Sequence, residues 1–387
     1  MERVYLDHAG TTPVHPRVLE AMQPYFRERF GNPASLHGFG QEAAQAVMQA
    51  REFLAGLIGA ASPDEIVFTS GGTESDNAAI VGTLLARQKK GNHLITSAIE
   101  HHAVLHTCQF LQKQGLAEVT YLPVDSAGLV DPEEVKKAIG DKTILVSIMH
   151  ANNEIGTIEP IVEIGAVCRE RQVAFHTDAV QTVGHIPVSV QEMNIDLLSL
   201  SGHKFYGPKG VGALYVRKGV RISPILHGGG QEWGRRSGTL NVSGIVGLGE
   251  AARRAREEME AEAPRQAEMR ERLLCSLLEA IAECIITGHR SQRLPNNASI
   301  CIHYVEGESM LLNLDLQGIA ASSGSACTSG SLEASHVLLA IGLSHETAHG
   351  SLRFTFGRDN KPSDVDRVLE VLPPVVKRLR AMSPLAN

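Results

Sequence analysis

Between residues 65 and 216, short apolar runs rich in Val, Ile and Leu alternate with amphipathic stretches of helical period. That alternation is the signature of parallel strands joined by helical crossovers. The apolar runs predict strands over 65–69, 93–97, 117–122, 143–149, 174–177, 197–200 and 212–216. Helices are predicted over 74–88 and 161–172. A shorter helix is bracketed by Asp131-Pro132 and Gly140, with an N-cap, a proline in the first turn and a glycine stop.

Ahead of this unit, residues 16–58 read as mostly helical, broken by the turn-forming Gly31-Asn32-Pro33. Behind it, a charged helix over 250–279 leads into short strands and helices that close with 363–380. A chain of 387 residues is too long for one simple core and divides. The expected division is an N-terminal segment, 1–15, packing with the small domain, a large domain over 16–264 and a small domain over 265–387. The fold class is α/β: a mostly parallel central sheet with helices on both faces, plus a smaller C-terminal α+β domain.

Composition narrows the function. Hydrophobic residues make up 43% and charged residues 20%, without long single-sign runs, as in an ordinary globular protein. The net charge of -7 gives no general attraction for nucleic acid or anionic membranes, so small acidic proteins or metabolites fit better as partners. No segment reaches the roughly 18 apolar residues of a membrane helix, and MERVYLDHAG lacks the form of a secretion signal. The expected location is the cytoplasm. Six cysteines (Cys108, Cys168, Cys275, Cys284, Cys301, Cys327) stand without a C-x-x-C pair, which suggests neither a disulfide framework nor a cysteine zinc site.

The chemistry collects after successive strands. Lys204, in Ser201-Gly202-His203-Lys204, follows an apolar run whose C-terminal end opens onto a cleft, where an amine can bond to an aldehyde cofactor. Alone, Lys204 reads as an ordinary solvated lysine; its neighbours change that. Asp178 ends another apolar run, and a buried carboxylate there calls for a cation such as a protonated pyridine nitrogen. Ser70-Gly71-Gly72-Thr73-Glu74 places a glycine turn before a helix, a phosphate-binding arrangement when other signals join it. Glu100-His101-His102 adds an imidazole that can stack on a flat ring or shuttle a proton, with a structural role as the alternative for His102.

Six motifs, YLDHAGTTP (5–13), TSGGTESDN (69–77), HANNEIG (150–156), HTDAVQ (176–181), SGHKFYGPKG (201–210) and SSGSACTSGSLEASHVL (322–338), span nearly the whole chain. With them the chain resembles the NifS/IscS-type cysteine desulfurases, fold-type-I, class-V enzymes that use pyridoxal 5'-phosphate (PLP). The resemblance implies that Lys204 holds PLP covalently, that Asp178 faces the ring nitrogen, and that His101 stacks on the ring. It implies a Gln181 contact to the phenolic oxygen and phosphate contacts from Gly72, Thr73, Ser201 and His203, with Gly202 also among the cofactor-binding residues. Thr239 would join them from a second subunit, hence a homodimer. Asn153, beside the cofactor, and Arg353 would receive the carboxylate of L-cysteine, for which a guanidinium fork is apt.

Cys327 narrows the reaction. It lies among small polar residues, Ser322 to Ala326 before it and Thr328 to Ser331 after it, unlike a core cysteine. A reactive thiol needs a nearby cation or helix N-terminus, and a helix expected near Leu332 offers the latter. The implied reaction turns L-cysteine into L-alanine and leaves sulfur on Cys327 as a persulfide for an iron-sulfur scaffold or other acceptor. Such a sulfur can also ligate a cluster transiently, making Cys327 a metal-binding candidate. The chain stops at Ser383-Pro384-Leu385-Ala386-Asn387, without the longer tail of the IscS-like branch, which leans the reading toward NifS.

Two rivals stay open. Selenocysteine or cystine lysis, or another class-V reaction, reuses Lys204 and Asp178. His345-Glu346-Thr347-Ala348-His349 matches H-E-x-x-H, a zinc hydrolase motif, although Ser344 and Gly350 bracket only a short helix.

Overall fold

The computed structural model describes residues 3–323 and 334–382. Its centre is a seven-stranded sheet. Across the sheet the strands run Ile66–Thr69, Gly212–Val216, Leu197–Ser201, Ala174–Asp178, Thr143–Ser147, His93–Ser97 and Glu118–Leu122. All pairings are parallel except those of Gly212–Val216, which runs antiparallel to both neighbours. Every residue of the inner strands Thr143–Ser147, Ala174–Asp178 and Leu197–Ser201 is buried. That is why these runs are apolar on both faces rather than alternating. The edge strand Glu118–Leu122 is mostly half-exposed and alternates more in sequence.

Each expected strand forms, with ends shifted by a residue or two. The helix expected from 74 begins earlier, as Gly72–Arg87. The charged helix expected over 250–279 also starts earlier and spans Val242–Ala280. Its opening turns are glycine-rich, a composition that hides a helix from propensity. Packing explains the glycines: a Cβ on Gly249 would meet Ala50 at 2.6 Å, and one on Gly247 would meet Met22 at 2.6 Å.

This helix joins two cores. Ile245, Leu248, Ala251 and Ala252 pack with the inner strands, whereas Met269, Leu273, Leu274 and Leu277 pack in a second core. Pro264 stands between the two sets, so the domain boundary expected at 265 falls inside a continuous helix. The second core holds the antiparallel strands Cys284–Ile286, Asn297–Ile302 and Ser351–Thr355, with helices Gly307–Leu316 and Pro362–Met382. Val4–Tyr5 pairs in parallel with Ile319–Ala320, and Val4 and Leu6 enter that core. Among the described residues, no helix is long and apolar enough to cross a membrane.

Candidate active site

The C-terminal ends of the central strands open into a cleft of about 390 Å³ between the two cores, a size suited to a small ligand. Gly72, Thr73, His101, Asn153, Asp178, Gln181, Ser201, His203, Lys204 and Arg353 all line it. Two other expected residues do not. Gly202 is buried behind the cleft, its N–H donated to the Val211 carbonyl at 3.0 Å, so that group has nothing left for a phosphate. Thr239 is exposed and stands outside the cleft of its own chain. Cys327 and Leu332 lie outside the described residues; the next described helix is His336–Ala340, capped by Ser335.

At one end of the cleft, Gly71 caps helix Gly72–Arg87 without any side-chain hydrogen bond. A Cβ on Gly72 would strike Val180 Cγ2 at 2.8 Å, so glycine is required for the helix start to sit this close to the neighbouring loop. The first turn of a 16-residue helix carries unsatisfied N–H groups and the positive end of its dipole. His203 stands near it as a neutral ring, its pKa lowered to about 4 by burial and then by Lys204 and Lys209. Its Nδ1 lies 3.1 Å from Thr11 Oγ1.

Lys204 follows strand Leu197–Ser201 in a short 3-10 turn. Its ammonium donates to the carbonyls of Ala9 and Gly10, the latter at 2.8 Å, so the N-terminal segment holds the amine in place. Gln181 Nε2 donates to the same Ala9 carbonyl at 3.1 Å. Asp178 ends its strand fully buried, with Oδ1 accepting the Val180 N–H at 2.9 Å. Burial pushes its pKa up, while that N–H and Lys204 oppose the rise.

His101 caps helix His102–Lys113, its Nδ1 accepting the Ala103 N–H at 3.1 Å. Burial, then Lys204, lowers its pKa to about 4. The ring is therefore neutral at physiological pH, and with Nδ1 occupied as an acceptor its proton resides on Nε2.

Arg353, on strand Ser351–Thr355, is 4% exposed. Its Nη1 donates to the Asn153 carbonyl at 2.7 Å and its Nη2 to Asp7 at 2.9 Å, while Nε is buried without a partner among the described residues. An orphaned donor in a ligand cleft suits an incoming carboxylate. The described residues flanking 324–333 anchor beside the same cleft. Ser322 exchanges backbone hydrogen bonds with Arg353. On the far side, Ser335 Oγ donates to Glu154 and His336 Nε2 lies 3.0 Å from the Glu100 carbonyl.

The residues present fit PLP. An uncapped helix start suits its phosphate. Asp178, a buried carboxyl group on the cleft wall, calls for the cation that a protonated ring nitrogen supplies. Lys204 supplies an amine in the same cleft, close enough to act on Asp178. Asp7, Asp76, Met149 and Val180 also line the cleft and were not singled out from the sequence, although Asp7, Asp76 and Val180 sit inside its quoted motifs. His345 and His349 lie exposed at the two ends of a five-residue helix whose Thr347 and Ala348 are buried, and they do not line the cleft. Among the described residues, no group of three metal-ligating side chains is assembled.

This is the cleft of a fold-type-I PLP enzyme. Residues 4–368 match the family model described as aminotransferase class-V, and the chain belongs to that family. It is 56% identical over 381 residues to cysteine desulfurase IscS of Dictyoglomus turgidum, covering 98% of this chain and 96% of that one. To cysteine desulfurase IscS of Methanosarcina thermophila it is 58% identical, covering 99% and 94%. A solved NifS-like protein superposes with a TM-score of 0.91 at 40% identity, covering 97% of this chain and all of that one. A structure of SspA in complex with cysteine matches with a TM-score of 0.79, also at 40% identity, covering 91% and 98%. Both IscS and NifS-like proteins are thus among its relatives.

Proposed function

We propose that the protein is a PLP-dependent cysteine desulfurase, taking sulfur from L-cysteine and releasing L-alanine. It supplies that sulfur for iron-sulfur cluster assembly. The reading rests on one observation above all: Lys204, Asp178, His101 and the orphaned Arg353 Nε converge on a single cleft.

In this reading Arg353 and Asn153 receive the substrate carboxylate, fixing which bond at the α-carbon faces Lys204. Asp178 holds the ring nitrogen, Gln181 the phenolic oxygen, and the Gly72–Thr73 helix start with Ser201 and His203 the phosphate. When bound, PLP supplies an electron sink for the pair left at the substrate α-carbon. Lys204, with its amine free, would be the base that moves the α-proton of the bound substrate. His101 exchanges protons with the substrate at Nε2. The Cys327 thiolate attacks the substrate sulfur; a sulfur–sulfur bond forms, the carbon–sulfur bond breaks, and its electron pair stays with the carbon skeleton that leaves as alanine. The persulfide on Cys327 then passes to an acceptor protein such as an iron-sulfur scaffold. The working unit is a cytoplasmic homodimer in which Thr239, exposed in one chain, completes the phosphate site of its partner.

Visible spectra before and after addition of L-cysteine test this, with alanine and transferable sulfur assayed in the same tube. A yellow protein whose band shifts as alanine and sulfur appear in step is the expected result. Borohydride reduction should fix the cofactor on Lys204. A protein that PLP cannot colour, or label on another lysine, overturns the assignment.

A further inference from the structure

Asp76 lies on helix Gly72–Arg87, 1% exposed, and forms part of the cleft wall. Its surroundings hold no cation of its own. His176 Nε2 stands 3.7 Å from Asp76 Oδ1, but that ring is fully buried and neutral, held between Ser147 Oγ at 2.8 Å and Ser199 Oγ at 3.0 Å. Ser199, on the neighbouring strand, is a polar neighbour that favours the charged form of Asp76 and opposes the effect of burial. The remaining charged neighbours are carboxyl groups, Asp178 from strand Ala174–Asp178 and Glu100 from the turn before helix His102–Lys113. The field of Lys204 reaches Asp178 and His101. Asp76 Oδ1 and Glu100 Oε2 are both buried with no hydrogen-bond partner among the described residues.

A carboxylate in that position has lost its water and gained a like charge, with only Ser199 to offset them. Three ionised carboxylates against one lysine is an arrangement the site does not support. One oxygen on each of Asp76 and Glu100 is without a donor, which is where a proton is carried. We propose that Asp76 is a positioning residue, held as a neutral carboxylic acid protonated on Oδ1, so that the negative charge beneath the cofactor ring rests on Asp178 alone. The inference builds on the PLP reading of the cleft. Its consequence is that Asp76 acts on the ring through Asp178: a second charge there would compete for the ring proton, and a cavity would let Asp178 turn. A neutral isostere preserves the arrangement.

Isotope-edited infrared difference spectra of the holoenzyme, wild type against Asp76→Asn, read the proton directly. Equilibrium dialysis measures PLP binding of wild type, Asp76→Asn and Asp76→Ala. The wild type should show a carboxylic acid band at neutral pH that Asp76→Asn removes. Asp76→Ala should loosen PLP by about tenfold, the equivalent of one lost hydrogen bond, and Asp76→Asn should recover it to within about threefold of wild type. A carboxylate band alone at neutral pH, or an Asn variant as weak as the Ala variant, overturns the proposal. Wild type that does not bind PLP overturns the reading of the cleft and this inference with it. If Asp76→Ala fails to fold, the infrared band decides.

Discussion

Arg353 reaches Asp7 across 346 positions of sequence, Nη2 to Oδ1 at 2.9 Å, and so ties the N-terminal segment to the strand that faces the cleft. The contact leaves Nε unpartnered and fixes the plane of the guanidinium. A planar fork with one orphan donor can accept a carboxylate only from one direction. Asp7 therefore sets the orientation of the Arg353 guanidinium in the cleft.

Arg353→Ala should raise KM for L-cysteine by about 10- to 100-fold, the range expected when a charge-assisted hydrogen bond is lost. PLP binding should change little, because no cofactor contact is assigned to Arg353. Steady-state kinetics with a parallel visible spectrum checks both. An unchanged KM would remove Arg353 from the substrate site.

Cys327→Ser should keep the bound cofactor and its colour while sulfur transfer falls by at least about a hundredfold, since a hydroxyl is a far poorer nucleophile than a thiolate. The check is transfer of labelled sulfur from L-cysteine to the chain, followed by mass spectrometry of the peptide bearing residue 327. Label on a different cysteine would move the persulfide elsewhere. The buried thiols of Cys108, Cys168 and Cys301 are poor candidates, each pushed up to about 12 mainly by burial.

Glu159 gives a pH prediction away from the cleft. Burial pushes its carboxyl from 4.5 up to about 8; the Val130 N–H at 2.9 Å opposes this, and Asp125 adds to it. Between those two values the folded chain holds a proton that the unfolded chain has released. Stability from this group is therefore present at low pH and is lost as pH rises through the window. Glu159→Gln should match wild type near pH 5 and exceed it near pH 9, by on the order of a few kcal/mol. Urea titrations at the two pH values measure the difference. Equal stabilities at both would show that Glu159 is ionised throughout.

Glu232 tests the scaffold. It forms a buried bidentate pair with Arg51 and also accepts the Phe68 N–H at 2.8 Å. The Arg51 guanidinium stacks on the rings of Phe68 and Trp233, 4.5 and 4.6 Å from their centroids. The pair pins the turn leading to strand Arg236–Ser237, with Glu232 and Trp233 both in the left-handed region. Glu232→Ala should cost about 3–5 kcal/mol by stranding a buried guanidinium, whereas exposed pairs such as Arg17–Glu20 should contribute under about 1 kcal/mol. Chemical denaturation of Glu232→Ala and of Glu20→Ala checks the contrast.

The central strands were legible in the sequence because strands buried on both faces demand continuous apolar runs. The glycine turn at 71–72, Asp178 and Lys204 were legible because each ends or follows such a run, and a strand's C-terminal end is where a cleft opens. Local pattern failed where a tertiary contact sets the local choice. The early start of helix Val242–Ala280 was hidden by glycines whose purpose, contact with Ala50 and Met22, exists only after packing. Gly202 sits in the same motif as Lys204, yet its N–H is consumed by Val211, which no spacing reveals.

By itself the sequence determined where the buried strands fall and which candidate side chains follow them, because apolar period and motif are local properties. Tertiary structure alone decided that Asp7 pairs with Arg353, that Asp76 shares a wall with Asp178, and that His101 is buried near Lys204 and therefore neutral. Each of these depends on distance and burial between segments far apart in the chain, and neither quantity exists before the cores close.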